Sequence, residues 1–237
     1  MKQQIHRAAD RGHVQHGWLD TWHSFSFGSF YNPQKMHFGA LRVLNDDVIK
    51  GGFGFGKHPH DNMEIITIPL SGALEHRDST GGQGVIKQFD VQHMSAGTGI
   101  EHSEFNANKN EDVSLLQIWV YPKERNITPS YDQKTFLPSD RKNQLQYIVA
   151  PDNPTALKAH QDTWFSLGDF DAEQTVEYKL HVPNMGVYVM VIEGSATIGA
   201  DTLLKRDAIG ISDTASIQLT TTSSQTQLLI IEVPMHY

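Results

Sequence analysis

Short runs of β-branched and aromatic residues, each closed by Gly, Asn, Asp or Pro, recur along the whole chain, while helical hydrophobic periodicity is scarce. A sequence punctuated this way buries its apolar surface as strands stacked into sandwiches or barrels. In the first half the runs cover residues 24–30, 38–43, 63–70, 72–78, 84–91 and 115–121. Residues 78–82 (Asp-Ser-Thr-Gly-Gly) make a turn between two of them, because glycine supplies the positive φ that tight turns need. Residues 122–143, with three prolines and scattered charge, read as a connector. Strand-like runs resume at 146–150, 164–169, 173–180, 187–192, 195–198, 208–211, 216–221 and 227–233. Residues 152–161 are expected to form a short helix or an ordered loop. The plan is therefore all-β, with two domains at residues 1–134 and 135–237. One echo points to duplication: residues 65–74 and 188–197 each run from an apolar strand through a glycine, Gly72 or Gly194, into a second strand.

The 237 residues suffice for one large core or two smaller ones. A net charge of −8 without a basic stripe argues against a nucleic-acid partner. The absence of cysteine excludes disulfides, thiolate zinc sites, iron–sulfur clusters and a cysteine nucleophile. The N-terminal residues lack the apolar core of a signal peptide, and no apolar run approaches the roughly 20 residues that span a bilayer. A soluble cytoplasmic protein with no membrane partner is the expectation.

Histidine is unevenly spread: ten of the thirteen precede residue 103. His58-Pro59-His60 and His102-Ser103-Glu104 each place two donors two residues apart. Side chains at i and i+2 of a strand share a face. If both pairs lie on strands of one barrel, three imidazoles and a carboxylate converge on a single divalent ion. Such a set suits Fe(II), Mn(II), Ni(II), Cu(II) or Zn(II). It leaves two adjacent positions open on an octahedral ion, or closes a tetrahedron around a structural zinc. The glycine-rich stretch 51–56 is not followed by the Lys-Ser/Thr of a phosphate loop, and reads as a strand free to bend. His76 and His93 read as hydrogen-bonded structural histidines, while His23 or His37 could line a pocket. Phe53, Phe55, Met63, Met94, Phe105 and Trp119 are core residues by default, some of them available as an apolar wall for an aromatic substrate.

Gly52, His58-Pro59-His60, Glu64 and Gly72 resemble the first cupin motif; Ser95 to Asn106, with Gly97 and His102, resembles the second. The spacing to Gly72 is one residue longer than usual, Ser95 stands where proline is usual, and two extra residues separate Gly97 from His102. Those departures, together with residues 38–46, 75–79 and 99–106, resemble the pirin branch across residues 24–120. Pirins are bicupins, so the resemblance implies two antiparallel jelly-roll β-barrels with metal only in the N-terminal one. It implies His58, His60, His102 and Glu104 as ligands. Glu64, at the position used as a ligand in one-domain cupins, is left beside the site or on the strand surface. The implied cofactor is one divalent transition metal, Fe(II) first, with Cu, Ni, Co, Mn or Zn as alternatives. Some bacterial pirins open the heterocycle of flavonols with O₂. The implied activity is thus quercetin 2,3-dioxygenase, an oxidoreductase with Glu104 as catalytic proton acceptor and the natural substrate left open. The alternative is a metal-binding regulatory pirin that engages a protein partner without catalysis.

Overall fold

The computed structural model describes residues 1–237. In chain order the first strands are β1 (Lys2–His6), β2 (Gly12–Gln15), β3 (Leu19–His23), β4 (Leu41–Ile49), β5 (Gly54–His60), β6 (Glu64–Ser71), β7 (Ala73–Asp78), β8 (Gln83–Lys87), β9 (Asp90–Ser95), β10 (Ile100–Asn106), β11 (Val113–Val120) and β12 (Ser130–Thr135). They continue as β13 (Leu145–Ala150), β14 (Leu157–Lys158), β15 (Trp164–Phe170), β16 (Thr175–Lys179), β17 (Met185–Glu193), β18 (Ser195–Ile198), β19 (Asp201–Leu204), β20 (Ala208–Ser212), β21 (Ser216–Thr221) and β22 (Thr226–Pro234). No helix is long and apolar enough to cross a membrane.

Four sheets result. The first half builds a seven-stranded sheet, β12-β9-β6-β11-β4-β3-β2, and a four-stranded one, β5-β10-β7-β8. The second half repeats the plan as β1-β20-β17-β22-β15-β13-β14 and β16-β21-β18-β19. Each half is a jelly roll whose two sheets are not joined by hydrogen bonds, so the expected barrels are flattened two-sheet sandwiches. The echo seen in the sequence is the step from large to small sheet. Gly72 (φ 74°) leads β6 into β7, and Gly194 (φ 82°) leads β17 into β18. Both turns need the left-handed backbone that glycine adopts without strain. The chain also crosses between halves at its start: β1 adds to the edge of the second half's large sheet, beside β20.

Strand alternation sorts the side chains into layers. On β11, Leu116, Ile118 and Val120 join a core with Ile148, Phe165, Leu229 and Ile231 of the second half. The two large sheets therefore pack back to back through hydrocarbon. The intervening β11 residues Val113 and Leu115 point the other way, into the first sandwich, where they pack with Leu19, Ile49, Leu74 and Ile86. A second small cluster, Ile65, Met94, Ala96 and Ile100, occupies another part of that interior. A group of polar side chains shares the interior with these two clusters.

Several expected segments differ. Residues 24–30 form no strand beyond an isolated bridge between Phe27 and Phe30. The run 84–91 is broken into β8 and β9 at Phe89, whose φ is 76°. The connector holds β12, which pairs with β9 through backbone bonds despite its polar sequence. Residues 152–161 form no helix, only turns and the two-residue β14.

Candidate metal centre

β5 and β10 are antiparallel neighbours in the small sheet, with His58 opposite His102 and His60 opposite Ile100. The register then shifts, so that Phe55 rather than Gly56 faces Glu104. The extra residue is a bulge in the glycine-rich stretch. Gly54 is needed there because a Cβ would meet the Glu104 carbonyl oxygen at 2.2 Å. On its other side β10 pairs with β7, which sets His76 opposite Glu104 and Asp78 opposite His102. Residues directly opposite one another in antiparallel strands share a face. His58, His102, Glu104 and His76 therefore look into the same interior, and His60 follows His58 by the i+2 rule.

The imidazoles meet as this register demands. Ring centroids are 4.9 Å apart for His58 and His60, 4.4 Å for His58 and His102, and 4.8 Å for His60 and His102. Donor atoms of these three residues lie within 4.8 Å of one another, and so do those of His76, His102 and Glu104. The four expected residues are thus divided between two triads that share His102, one with His58 and His60 and the other with His76 and Glu104. His76, assigned a structural role from sequence, stands inside the cluster. His58 Nδ1 lies 2.8 Å from the Gly56 carbonyl, so that nitrogen donates and Nε2 is left with its lone pair. Burial, then the charge of His58, lowers the His60 pKa to about 4. Burial followed by the charges of His58, His60 and His76 drives His102 far below its ordinary value. Burial also lowers His76, against the opposing pull of Asp78. Neutral imidazoles are the form that binds metal.

Glu104 is fixed by a chain of amides and hydroxyls from the facing sheet. Gln92 Nε2 donates to Thr67 Oγ1 at 3.2 Å, Thr67 Oγ1 donates to Gln117 Oε1 at 2.8 Å, and Gln117 Nε2 donates to Glu104 Oε2 at 2.9 Å. Glu104 Oε1 and His102 Nε2 are buried and have no hydrogen-bond partner. Burial pushes the Glu104 carboxyl up to about 7, with Asp47 adding to the rise and Gln117 opposing it. A coordinated cation would reverse that direction. Asp47 is likewise pushed up to about 7 by burial, and its Oδ1 is also unpartnered.

Glu64 is neither beside the cluster nor at the surface. On β6 it shares a face with Ile66 and Ile68, which pack against the second half, whereas Ile65 and Thr67 face the first sandwich's interior. It is fully buried, pairs with His93 Nε2 at 2.8 Å, and accepts the backbone N–H groups of His160 (3.0 Å) and Gln161 (2.5 Å). Burial alone would raise its pKa, but these bonds outweigh burial and leave it lowered. His93 is therefore structural, as expected; His23, on the other side of the large sheet, bonds Asn45 Oδ1 at 2.8 Å inside the first sandwich.

A cavity of about 360 Å³ opens beside the cluster, lined by His58, His60, Glu104, Asn45, Asp47 and Gln117 and by the rings of Trp18, Phe27, Phe55 and Trp119. Trp119 meets His60 edge-on at 4.9 Å and Phe27 at 5.2 Å. Of the aromatic residues expected as core, Phe55 and Trp119 thus form a wall, while Phe53 and Phe105 are exposed. Trp18 and Phe27 carried no spacing signal; they reach the cavity only through tertiary packing. The second half has no such interior. Its inward residues on the strands corresponding to β5 and β10 are Val176, Tyr178, Ile217 and Leu219, packed in a hydrocarbon core.

The Pirin family profile matches residues 4–120, and the profile of the quercetinase C-terminal cupin domain matches residues 147–233. Quercetin 2,3-dioxygenase of Escherichia coli K12 is 41% identical over 235 residues, which cover 97% of this chain and 98% of that protein. A pirin-like protein of Caulobacter vibrioides is 39% identical over 211 residues, 88% of this chain and 90% of its own length. The crystal structure of the Escherichia coli bacterial pirin YhhW in complex with nickel(II) superposes with a TM-score of 0.92 at 38% identity, covering 98% of this chain and 99% of that one.

Proposed function

We propose that this chain, which belongs to the pirin family of cupin proteins, is a metal-dependent dioxygenase that opens the heterocycle of a flavonol such as quercetin. The observation that carries the reading is the pair of buried, unpartnered lone pairs on His102 Nε2 and Glu104 Oε1, beside an aromatic-walled cavity. Leaving such groups unpaired costs about 1–3 kcal/mol each, and a cation satisfies both. His58, His60, His102 and Glu104 are the proposed ligands, a nitrogen and oxygen set suited to a divalent transition metal, Fe(II) first. A bound metal there supplies Lewis acidity toward a flavonol oxygen and the redox partner that dioxygen chemistry needs.

The chain's own part is positioning and proton transfer. Gln117 occupies Glu104 Oε2, so Oε1 is the atom that would face the metal and that would take the proton of the substrate's 3-hydroxyl on swinging off the ion. Trp18, Phe27, Phe55 and Trp119 give a flat aromatic ligand its wall and exclude water from the reacting centre. Asn45 and Asp47 supply the few polar contacts that fix its orientation. The full-length match to the Escherichia coli protein named for this activity supports the choice of substrate class.

The test is anaerobic removal of metal, reconstitution with Fe, Mn, Co, Ni, Cu and Zn in turn, and a flavonol assay by loss of absorbance with carbon monoxide detection. Turnover should require metal, and His58→Ala and His102→Ala should lose both metal and turnover. Wild-type rates in a metal-free variant, or oxygen uptake without carbon monoxide, would refute the ring-opening reading.

A further inference from the structure

His76 and Asp78 lie on β7 with their side chains on the face shared by the metal cluster, yet neither belongs to the proposed ligand set. Their hydrogen bonds are ordered. Asp78 Oδ1 accepts the backbone N–H groups of Thr80 (2.8 Å) and Gly82 (2.9 Å) and the Thr80 hydroxyl (2.7 Å). A carboxylate held by three donors stays ionised and only accepts. Its Oδ2 lies 3.0 Å from His76 Nε2, so that nitrogen must carry the proton. A neutral His76 then has a bare Nδ1, which faces His102 Nδ1 at 3.4 Å. His102 Nδ1 must be the donor across that gap. The remaining His102 nitrogen, Nε2, is thereby fixed as a lone pair, and it is the buried nitrogen without a partner. The His76 ring is held from its other side by Tyr131 of β12, stacked at 4.5 Å and 19°.

We infer that Asp78 and His76 form a hydrogen-bond relay that locks His102 in the tautomer presenting Nε2 to the metal. His76 is a positioning residue in this scheme and not a ligand, although its donor atoms lie close enough to His102 and Glu104 to ligate. The relay begins at the 78–82 turn, so the loop geometry that orients Asp78 reaches the metal through two imidazoles. The inference rests on His102 being a ligand, and its test avoids turnover so that it can fail separately from the dioxygenase reading.

The test uses the full chain loaded with Co(II). Affinity is read by competition with a chromophoric chelator, and the ligand-ring N–H protons are read as hyperfine-shifted, solvent-exchangeable proton NMR signals. His76→Phe, which keeps a ring but offers no acceptor, should weaken Co(II) binding by about 10–100-fold, the usual effect of losing a hydrogen-bond partner behind a metal ligand. One slowly exchanging N–H signal should become fast or vanish. His76→Gln, whose amide oxygen can accept the same proton, should recover most of the affinity and the slow exchange; a mere packing role would favour Phe. Asp78→Asn should weaken binding in the same direction without a change in near-ultraviolet circular dichroism. Wild-type affinity and exchange in His76→Phe would overturn the relay, as would a ligand signal arising from the His76 ring itself. A wild-type chain that takes up no cobalt would overturn both the relay and the metal centre. A chain that shows the relay but leaves flavonols intact would support the relay and refute only the proposed substrate.

Discussion

Glu64 offers a sharp test of how the two halves are joined. Its carboxylate accepts two backbone N–H groups from residues 160 and 161 and pairs with His93, all in a fully buried setting. Glu64→Ala removes every acceptor and leaves those donors stranded between the halves. Breaking a buried pair costs about 3–5 kcal/mol, and each orphaned donor about 1–3, so a net loss of about 4 kcal/mol is expected after partial relaxation. For a chain of this size about 2–4 °C is lost per kcal/mol, giving a fall in melting temperature of roughly 8–16 °C by calorimetry at neutral pH. Glu64→Gln keeps one acceptor and should lose roughly half as much. The pH dependence follows from the lowered pKa. The contribution of Glu64 is complete above the ordinary glutamate value of about 4.3 and is lost as pH falls through its lower folded value. The gap between wild type and Glu64→Ala should close only in acid, below about pH 4. Metal affinity should not change, because Glu64 faces away from His58, His60 and His102. A variant that melts within about 2 °C of wild type, or that loses metal as His102→Ala does, would refute this assignment.

Other parts of the site respond in separable ways. In chelator-treated protein, Asp47 has a folded pKa of about 7, raised by burial. Its native form therefore holds a proton that the unfolded chain has released, and stability should fall as pH rises from about 4 toward 7. Asp47→Asn should flatten that fall in thermal melts, and an unchanged slope would disprove it. Trp119→Ala removes a cavity wall and its edge-on contact with His60 but leaves all four proposed ligands in the chain; it should raise KM for quercetin by about tenfold or more while metal content stays constant. Glu104→Gln leaves the Gln117 contact available but removes the proton acceptor, so kcat should drop by about 10²–10⁴-fold. Retained turnover in a metal-loaded Glu104→Gln protein would dismiss Glu104 as the base.

What the sequence revealed and what it hid divide along physical lines. His58-Pro59-His60 and His102-Ser103-Glu104 were legible because the i, i+2 rule holds for any strand, whatever its partners. The same rule applied to His76 and Asp78 would have marked a third inward pair. A histidine beside a turn also has an ordinary hydrogen-bonding explanation, and that hides the pair. Glu64 was not legible. It sits next to Ile65, Ile66 and Ile68, a run apolar on both faces, so alternation cannot say which face is the sandwich interior. The edge strands β1 and β12 were missed for a related reason. Their sequences, Lys-Gln-Gln-Ile-His and Ser-Tyr-Asp-Gln-Lys-Thr, are mostly polar and mostly exposed or half-buried. They are held by backbone pairing to β20 and β9, which leaves little hydrophobic period to read.

The duplicated plan shows how little separates a candidate metal centre from an ordinary core. Both halves run the same strand order, and both cross from large to small sheet at a left-handed glycine. In the second half the inward positions carry Val176, Tyr178, Ile217 and Leu219, which fill the interior with hydrocarbon. In the first they carry His58, His60, His102 and Glu104, and such groups are tolerated in a buried interior only when paired. The facing sheet meets that demand with Thr67, Gln92 and Gln117, and β7 meets it with His76 and Asp78. In this interior the buried polar atoms left without a partner are His102 Nε2, Glu104 Oε1, Asp47 Oδ1, Gln92 Oε1 and Trp119 Nε1. Inward donors in place of hydrocarbon therefore need matching side chains on at least three neighbouring strands. That is why the proposed ligands alone, grafted onto the second half at Val176, Tyr178, Ile217 and Leu219, should destabilise it without creating a comparable site.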